Sequence, residues 1–262
     1  MNMIKNKISA CVLVRNEEDK ISKCLMSVSW CDEIIIADDS SRDQSLKIIK
    51  NLIQSKLFRN CPVRVYKRSL NSDFSAQRNF VMSKARNKWI LFIDADEIVS
   101  EELKMEIRKK IVFGNTKISG YYLKRKDYFL GRILNHGETG KIKFVRLAKK
   151  DSGEWRGSVH EKWEVKEPIA ILNNPLEHYP HKNVAEFLQK INNYSDIVAQ
   201  YWKEQGRRSN ITEIVFFPIF KFIDNYCLKS GYLDGIPGFI MAAMMSFHSF
   251  LVRSKVYLSQ KN

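Results

Sequence analysis

The stretch Trp89-Ile90-Leu91-Phe92-Ile93-Asp94-Ala95-Asp96-Glu97 is an apolar run that ends abruptly in acid. Five consecutive apolar residues, β-branched and aromatic types prominent, predict a strand buried on both faces of a parallel sheet. Beyond it stand two carboxylates at i and i+2. In open α/β sheets the ligand crevice lies outside the carboxyl ends of the strands, so Asp94 and Asp96 emerge where a site is expected. Two hard oxygen ligands on one side of a strand end suit Mg²⁺ or Mn²⁺ shared with a phosphate. The alternative is a polar strand exit leading into a helix. Acidic residues favour a helix N-terminus, which accounts for Glu101 and Glu102 but less readily for the paired aspartates.

Working back from this strand, residues 8–14 form an apolar run of strand length, closed by Arg15-Asn16-Glu17-Glu18-Asp19. Ile21, Cys24, Leu25 and Val28 follow at helical spacing. Residues 33–37 predict a second strand, ending in Asp38-Asp39-Ser40-Ser41-Arg42-Asp43, a polar knot able to cap a helix over 44–57. A short strand at 63–66 and a helix over 73–85 complete the approach to Trp89. Strands alternating with helices predict an α/β fold, a mostly parallel sheet with helices on both faces and polar loops converging on one rim. No Gly-x-Gly-x-x-Gly follows the first strand and no Gly-x-x-x-x-Gly-Lys-Ser/Thr occurs, which disfavours dinucleotide-binding and P-loop folds.

The chain has 262 residues, 44% hydrophobic and 28% charged, enough for one large domain and an appendage. Its formal charge of +15 includes the clusters Arg108-Lys109-Lys110, Lys124-Arg125-Lys126 and Lys149-Lys150. Such a surface attracts polyanions or is simply solvated. No recognised nucleic-acid-binding motif accompanies the charge, so nucleic acid is not an expected partner. Five cysteines without a Cys-x-x-Cys pair fit reduced thiols, and Met1 to Lys7 carry no signal-peptide pattern. A cytoplasmic protein is expected.

Four ordered motifs resemble family 2 glycosyltransferases: residues 8–28 with Val14-Arg15-Asn16-Glu17, Asp38-Asp39-Ser40-Ser41-Arg42-Asp43, Arg78-Asn79, and Asp94-Ala95-Asp96. The resemblance covers at least residues 6–100 and implies a GT-A nucleotide-sugar-binding domain. It implies that Val14, Arg15, Asn16 and Glu17, with Asp38 and Asp39, grip the nucleoside of a UDP-sugar donor, since carboxylates accept from uracil N–H and ribose hydroxyls. Arg78 is placed to meet the diphosphate or the Asp-x-Asp carboxylates. Asp96 would hold Mg²⁺ or Mn²⁺, with Asp94 binding ribose or assisting the metal. Trp155-Arg156-Gly157-Ser158-Val159-His160-Glu161 resembles the Gly-x-x-His-Glu segment of bacterial enzymes that add glucose to the lipopolysaccharide inner core. An inverting transfer needs a base at the acceptor hydroxyl, and Glu161 is the candidate, with His160 orienting it or binding a ligand. Glu164 is the alternative base, and a charged strand edge the alternative role for Glu161.

The expected layout is a GT-A catalytic domain over 1–180, with a donor half to about residue 100 and an acceptor half beyond, then a helical region over 181–262. His178 and His181 are expected as loop residues near the mouth of the site and not as zinc ligands. Two apolar pieces, 211–228 and 239–252, are each too broken for a clean membrane span. They predict helices lying at the inner membrane surface near a lipid-linked glycan acceptor, or an oligomer contact. A haloacid-dehalogenase-like phosphatase also places Asp-x-Asp after a strand, and a non-catalytic basic nucleic-acid-binding protein is the other alternative.

Overall fold

The computed structural model describes residues 6–113, 117–140 and 142–260. The expectations that rest on residues 1–5 and on Lys141 lie outside them. The first half alternates as read: β1 (Ile8–Val14), α1 (Ile21–Ser27), β2 (Glu33–Asp38), α2 (Ser45–Ile53), β3 (Val63–Lys67), α3 (Phe74–Lys84), β4 (Trp89–Asp94), β5 (Glu97–Ile98) and α4 (Glu101–Phe113). Then come β6 (Gly120–Phe129), β7 (Arg132–Leu134), β8 (Lys143–Lys149), β9 (Gly153–Arg156), β10 (Lys162–Val165), β11 (Ile169–Ile171) and β12 (Leu176–His178). The chain closes with α5 (Val184–Glu204), α6 (Ile211–Ile223) and α7 (Gly235–Ser259). The second helix is shorter than its periodicity predicts, because a separate 3-10 turn occupies Lys56–Phe58.

The sheet runs β3-β2-β1-β4-β8-β6, parallel as far as β4 and antiparallel beyond it. Chain order reverses about β1, and the registers Val14↔Asp38 and Leu13↔Asp94 align the ends of β1, β2 and β4. The expected convergence of three loops on one rim is therefore a consequence of register. Successive side chains alternate between two cores, as a strand buried on both faces requires. Leu91 and Ile93 join Val12 and Ile36 on one side, while Ile90 and Phe92 join Cys11 and Ile35 on the other. Phe92 meets Trp155 and Trp163 edge-on, and those two indoles stack on each other. The hairpin β9–β10 is thereby fixed as the outer layer of that face.

The chain divides into two compact units, Met1–Arg125 with Lys143–His178, and Lys126–Ile142 with Tyr179–Asn262. Residues 126–142, read from sequence as part of the acceptor half, group with the C-terminal helices. In that second unit Phe129, Leu134, Phe187, Ile191, Met241 and Met244 form the core. The break that separates the two apolar pieces read from sequence is also narrower than expected. Gly231–Asp234 is a 3-10 turn and α7 then starts at Gly235, leaving Pro237 in a first turn, where no amide N–H is needed. Gly231–Ser259 is consequently long and apolar enough, by length and composition, to cross a membrane, which corrects the reading of a broken span.

Candidate active site

Every sequence-predicted site residue falls in the first unit, on the loops after β1, β2 and β4, on α3, or in the β9–β10 hairpin. The first two loops are zipped together. Asn16, at φ 52°, accepts from Arg42 N at 2.8 Å, and its own amide donates to Ser41 Oγ at 3.0 Å. Glu17 N donates to Ser45 Oγ at 2.9 Å. Val14 ends β1 buried, its carbonyl accepting from Asp39 N at 2.9 Å. The two aspartates, equivalent by sequence, separate here. Asp38 is fully buried and accepts from Ser41 N, shaping its own loop. Asp39 accepts from Leu70 N at 2.9 Å and pairs with the exposed Arg15 at 2.8 Å, so its carboxylate stands nearer the rim.

Arg78 and Asn79 divide two tasks between neighbouring positions on α3. The Asn79 amide pairs with both backbone groups of Trp155, at 2.9 and 3.0 Å, tying the hairpin to the helix. The Arg78 guanidinium is buried over the Trp155 ring and joins two carboxylates. Its Nε donates to Glu161 Oε1 at 2.9 Å, and its Nη2 donates to Asp94 Oδ1 at 2.9 Å. Glu161 follows His160, an exposed residue at φ 58°, and Ser158 O accepts from Phe74 N at the start of α3. The carboxylate proposed as base is therefore brought beside the strand-end aspartate by one shared cation.

Asp94 is committed to arginine. Besides Arg78, Arg146 Nη2 on β8 donates to its Oδ2 at 2.5 Å and lies 3.7 Å from Glu97 Oε1. Burial would push the Asp94 carboxyl up, but Arg146 and then Arg78 outweigh it and hold it at about 2. Glu97, wholly buried and accepting from Asp94 N at 2.8 Å, is shifted the other way, chiefly by burial. The geometry thus gives Asp94 a charge-anchoring position between two arginines. Asp96 faces elsewhere: His178 Nε2 lies 3.6 Å from its Oδ2. His178 ends β12, opposite Glu97 on β5, and is not the loop residue expected. No group of three or more His, Cys, Asp or Glu poised for a metal occurs among the described residues. A cation here would rest on Asp96, His178 and oxygens of a ligand, a donor set suited to Mn²⁺ better than to Mg²⁺.

Because the folded Asp94 carboxyl lies below its ordinary value of 3.8, its contribution to stability is complete above about pH 4 and disappears as pH falls toward about 2. Acid titration of the thermal midpoint is expected to show this loss. An Asp94→Asn variant, less stable throughout, should lack that part of the slope.

Comparison with known proteins bears on the family. A family model described as glycosyl transferase family 2 matches residues 9–153, more than half of the chain. The chain is 26% identical to the lipopolysaccharide core biosynthesis glycosyltransferase LpsC of Rhizobium meliloti (strain 1021), over 97% of this chain and 93% of that one. It is also 26% identical to an uncharacterised glycosyltransferase of Rickettsia typhi, over 95% and 86% of the two chains. Among solved structures, S. aureus TarS 1-349 in complex with UDP-GlcNAc is similar with a TM-score of 0.48, at 12% identity over 97% of this chain and 91% of that one. The mixed sheet, parallel through β4 and flanked by helices, is a GT-A arrangement. Four motifs in order, a rim built from their loops and the family match agree: the chain belongs to glycosyl transferase family 2.

Proposed function

We propose that this protein is an inverting transferase that moves a hexose from a UDP-sugar to a lipopolysaccharide or lipooligosaccharide core, or to another lipid-linked surface glycan. The work would take place at the inner face of the cytoplasmic membrane. Family membership supports sugar transfer, and the likeness to LpsC over nearly the whole chain supports the acceptor class. The observation that carries the mechanism is the single guanidinium of Arg78 between Glu161 and Asp94. It supports a carboxylate base held next to the donor-binding strand end. In this reading Asp39 and the Val14–Glu17 loop hold the nucleoside, and Asp38 keeps the second loop in shape. Glu161 takes the acceptor hydroxyl proton as the oxygen bonds to the anomeric carbon and the bond to the diphosphate breaks. Glu161 Oε1 is engaged by Arg78, and Oε2 has no hydrogen bond among the described residues, so a lone pair is available for that proton. Asp96 and His178 would hold Mn²⁺ or Mg²⁺, which when bound offsets charge developing on the diphosphate.

Incubation with a panel of UDP-sugars, then mass analysis of the surface glycan from a deletion strain, tests the reading. Loss of one hexose from the core is expected. Phosphatase turnover without UDP-sugar affinity would end it. At the metal, Asp96→Asn and His178→Ala should each weaken Mn²⁺-dependent UDP binding. The loss should exceed the roughly 10–100-fold typical of removing a residue that merely supports a ligand. Unchanged Mn²⁺ dependence in both variants would remove this pair from the metal site.

A further inference from the structure

The second unit contains a helix whose surface is inverted. None of the thirteen residues of α6 is buried, although most are apolar. Ile211, Val215, Phe216, Ile219, Phe220 and Ile223 all face outward, Phe216 at 50% and Phe220 at 62% exposure. On α7 the residues Ile236, Phe239, Phe247 and Phe250 continue this exposed apolar surface at helical spacing. Exposed apolar area of this extent marks an interaction surface.

Charge and layering identify what covers it. The loop leading into α6 carries Arg207 and Arg208, both exposed, with the Arg207 guanidinium 3.5 Å from the centre of the Trp202 ring. Lys229, exposed just beyond its C-terminal end, is paired with Asp224 at 2.6 Å, so the net positive charge lies at the arginine end. Basic and indole groups at the margin of an apolar helix match anionic headgroups above acyl chains. The opposite side of α7 is covered by α5. Phe187 and Ile191 pack with Met241 and Met244, Tyr194 stacks on His248, and Lys255 bonds Asn192 and Ser195. The outer face of α5 is polar, with Asn193, Asp196 and Gln200 exposed. Were α7 to cross a bilayer, that polar face would be carried to hydrocarbon depth, which is costly. At thirteen residues α6 is about 20 Å long, too short to cross a core of about 30 Å.

We infer that α6 and the exposed stripe of α7 lie in the plane of an anionic phospholipid bilayer, inserted from one side, with α7 not crossing it. This gives the membrane contact of the proposed function a defined surface and mode. The test is co-sedimentation of the full-length protein with vesicles of phosphatidylcholine, with and without phosphatidylglycerol. Wild type should bind the anionic vesicles, retain most binding in high salt, and be released by alkaline carbonate. Phe216→Glu with Phe220→Glu, at two exposed positions, should weaken binding by roughly tenfold or more. Arg207→Gln with Arg208→Gln should remove much of the preference for phosphatidylglycerol. Hydrolysis of UDP-sugar by the vesicle-free Phe216/Phe220 variant should match wild type, separating failure here from failure of the transferase reading. Three outcomes would overturn the inference: no vesicle binding by wild type, resistance to carbonate as a spanning helix gives, or a dimer in solution that the glutamate pair dissociates.

Discussion

In a Glu161→Gln variant, kcat is expected to fall by roughly 10²–10⁴-fold while UDP-sugar affinity changes little. Glutamine keeps the shape, and its carbonyl oxygen can still accept from Arg78 Nε, so the hairpin and the donor rim should stay in place. What it removes is an acceptor for the hydroxyl proton. Asp96→Asn should behave differently, losing donor binding and turnover together, because it acts on a cation site and not on proton transfer. Steady-state kinetics with isothermal titration of UDP separates the two profiles. Turnover near wild type in folded Glu161→Gln would eliminate the assignment. Glu164 is then a poor substitute, since its carboxylate is more than half exposed and faces Arg156 at 3.4 Å.

Arg146→Leu is expected to destabilise the protein by about 3–5 kcal/mol, the usual cost of stripping one partner from a buried ion pair. Leucine fills much of the volume but leaves Asp94 with Arg78 alone and Glu97 without its arginine, both at the strand end. The guanidinium is only 7% exposed, so solvent cannot take over its role. Arg15→Ala should show the contrast. Arg15 pairs with Asp39 at a similar distance but is 64% exposed, and such pairs contribute about 0–1 kcal/mol. Urea denaturation of both variants, with slopes compared to detect changes in the unfolded state, measures the difference. A loss below about 1 kcal/mol for Arg146→Leu would mean that water already screens the cluster.

The sequence conveyed most clearly what short-range patterning controls. The apolar runs at 8–14, 33–37 and 89–93 and the helical spacings between them follow from periodicity, and their order led to the family. Arg146 was invisible because it occupies an ordinary alternating strand, Phe144-Val145-Arg146-Leu147, where a charged residue normally faces water. Only the antiparallel pairing of β8 with β4, residues more than fifty apart in sequence, turns it onto Asp94. His178, expected near the mouth of the site but on a loop, was misplaced for the same reason. Its position depends on the two-residue pairing of β12 with β5, which no local pattern announces. The equivalence of Asp38 and Asp39 likewise could not be broken without the turn that buries one of them.

The shared grip of Arg78 has a consequence for anyone transplanting parts between these enzymes. Acceptor preference invites exchange of the β9–β10 segment, which looks from its sequence like a self-contained cassette. Yet Glu161 takes its orientation from Arg78, 83 residues upstream on α3, and Asn79 on that helix clasps the backbone of Trp155. A chimera that imports the segment alone inherits a carboxylate whose cation was shaped for another neighbour. Grafts that move α3 with the hairpin, and retain Asp94 and Arg146 beneath them, transfer an intact electrostatic unit.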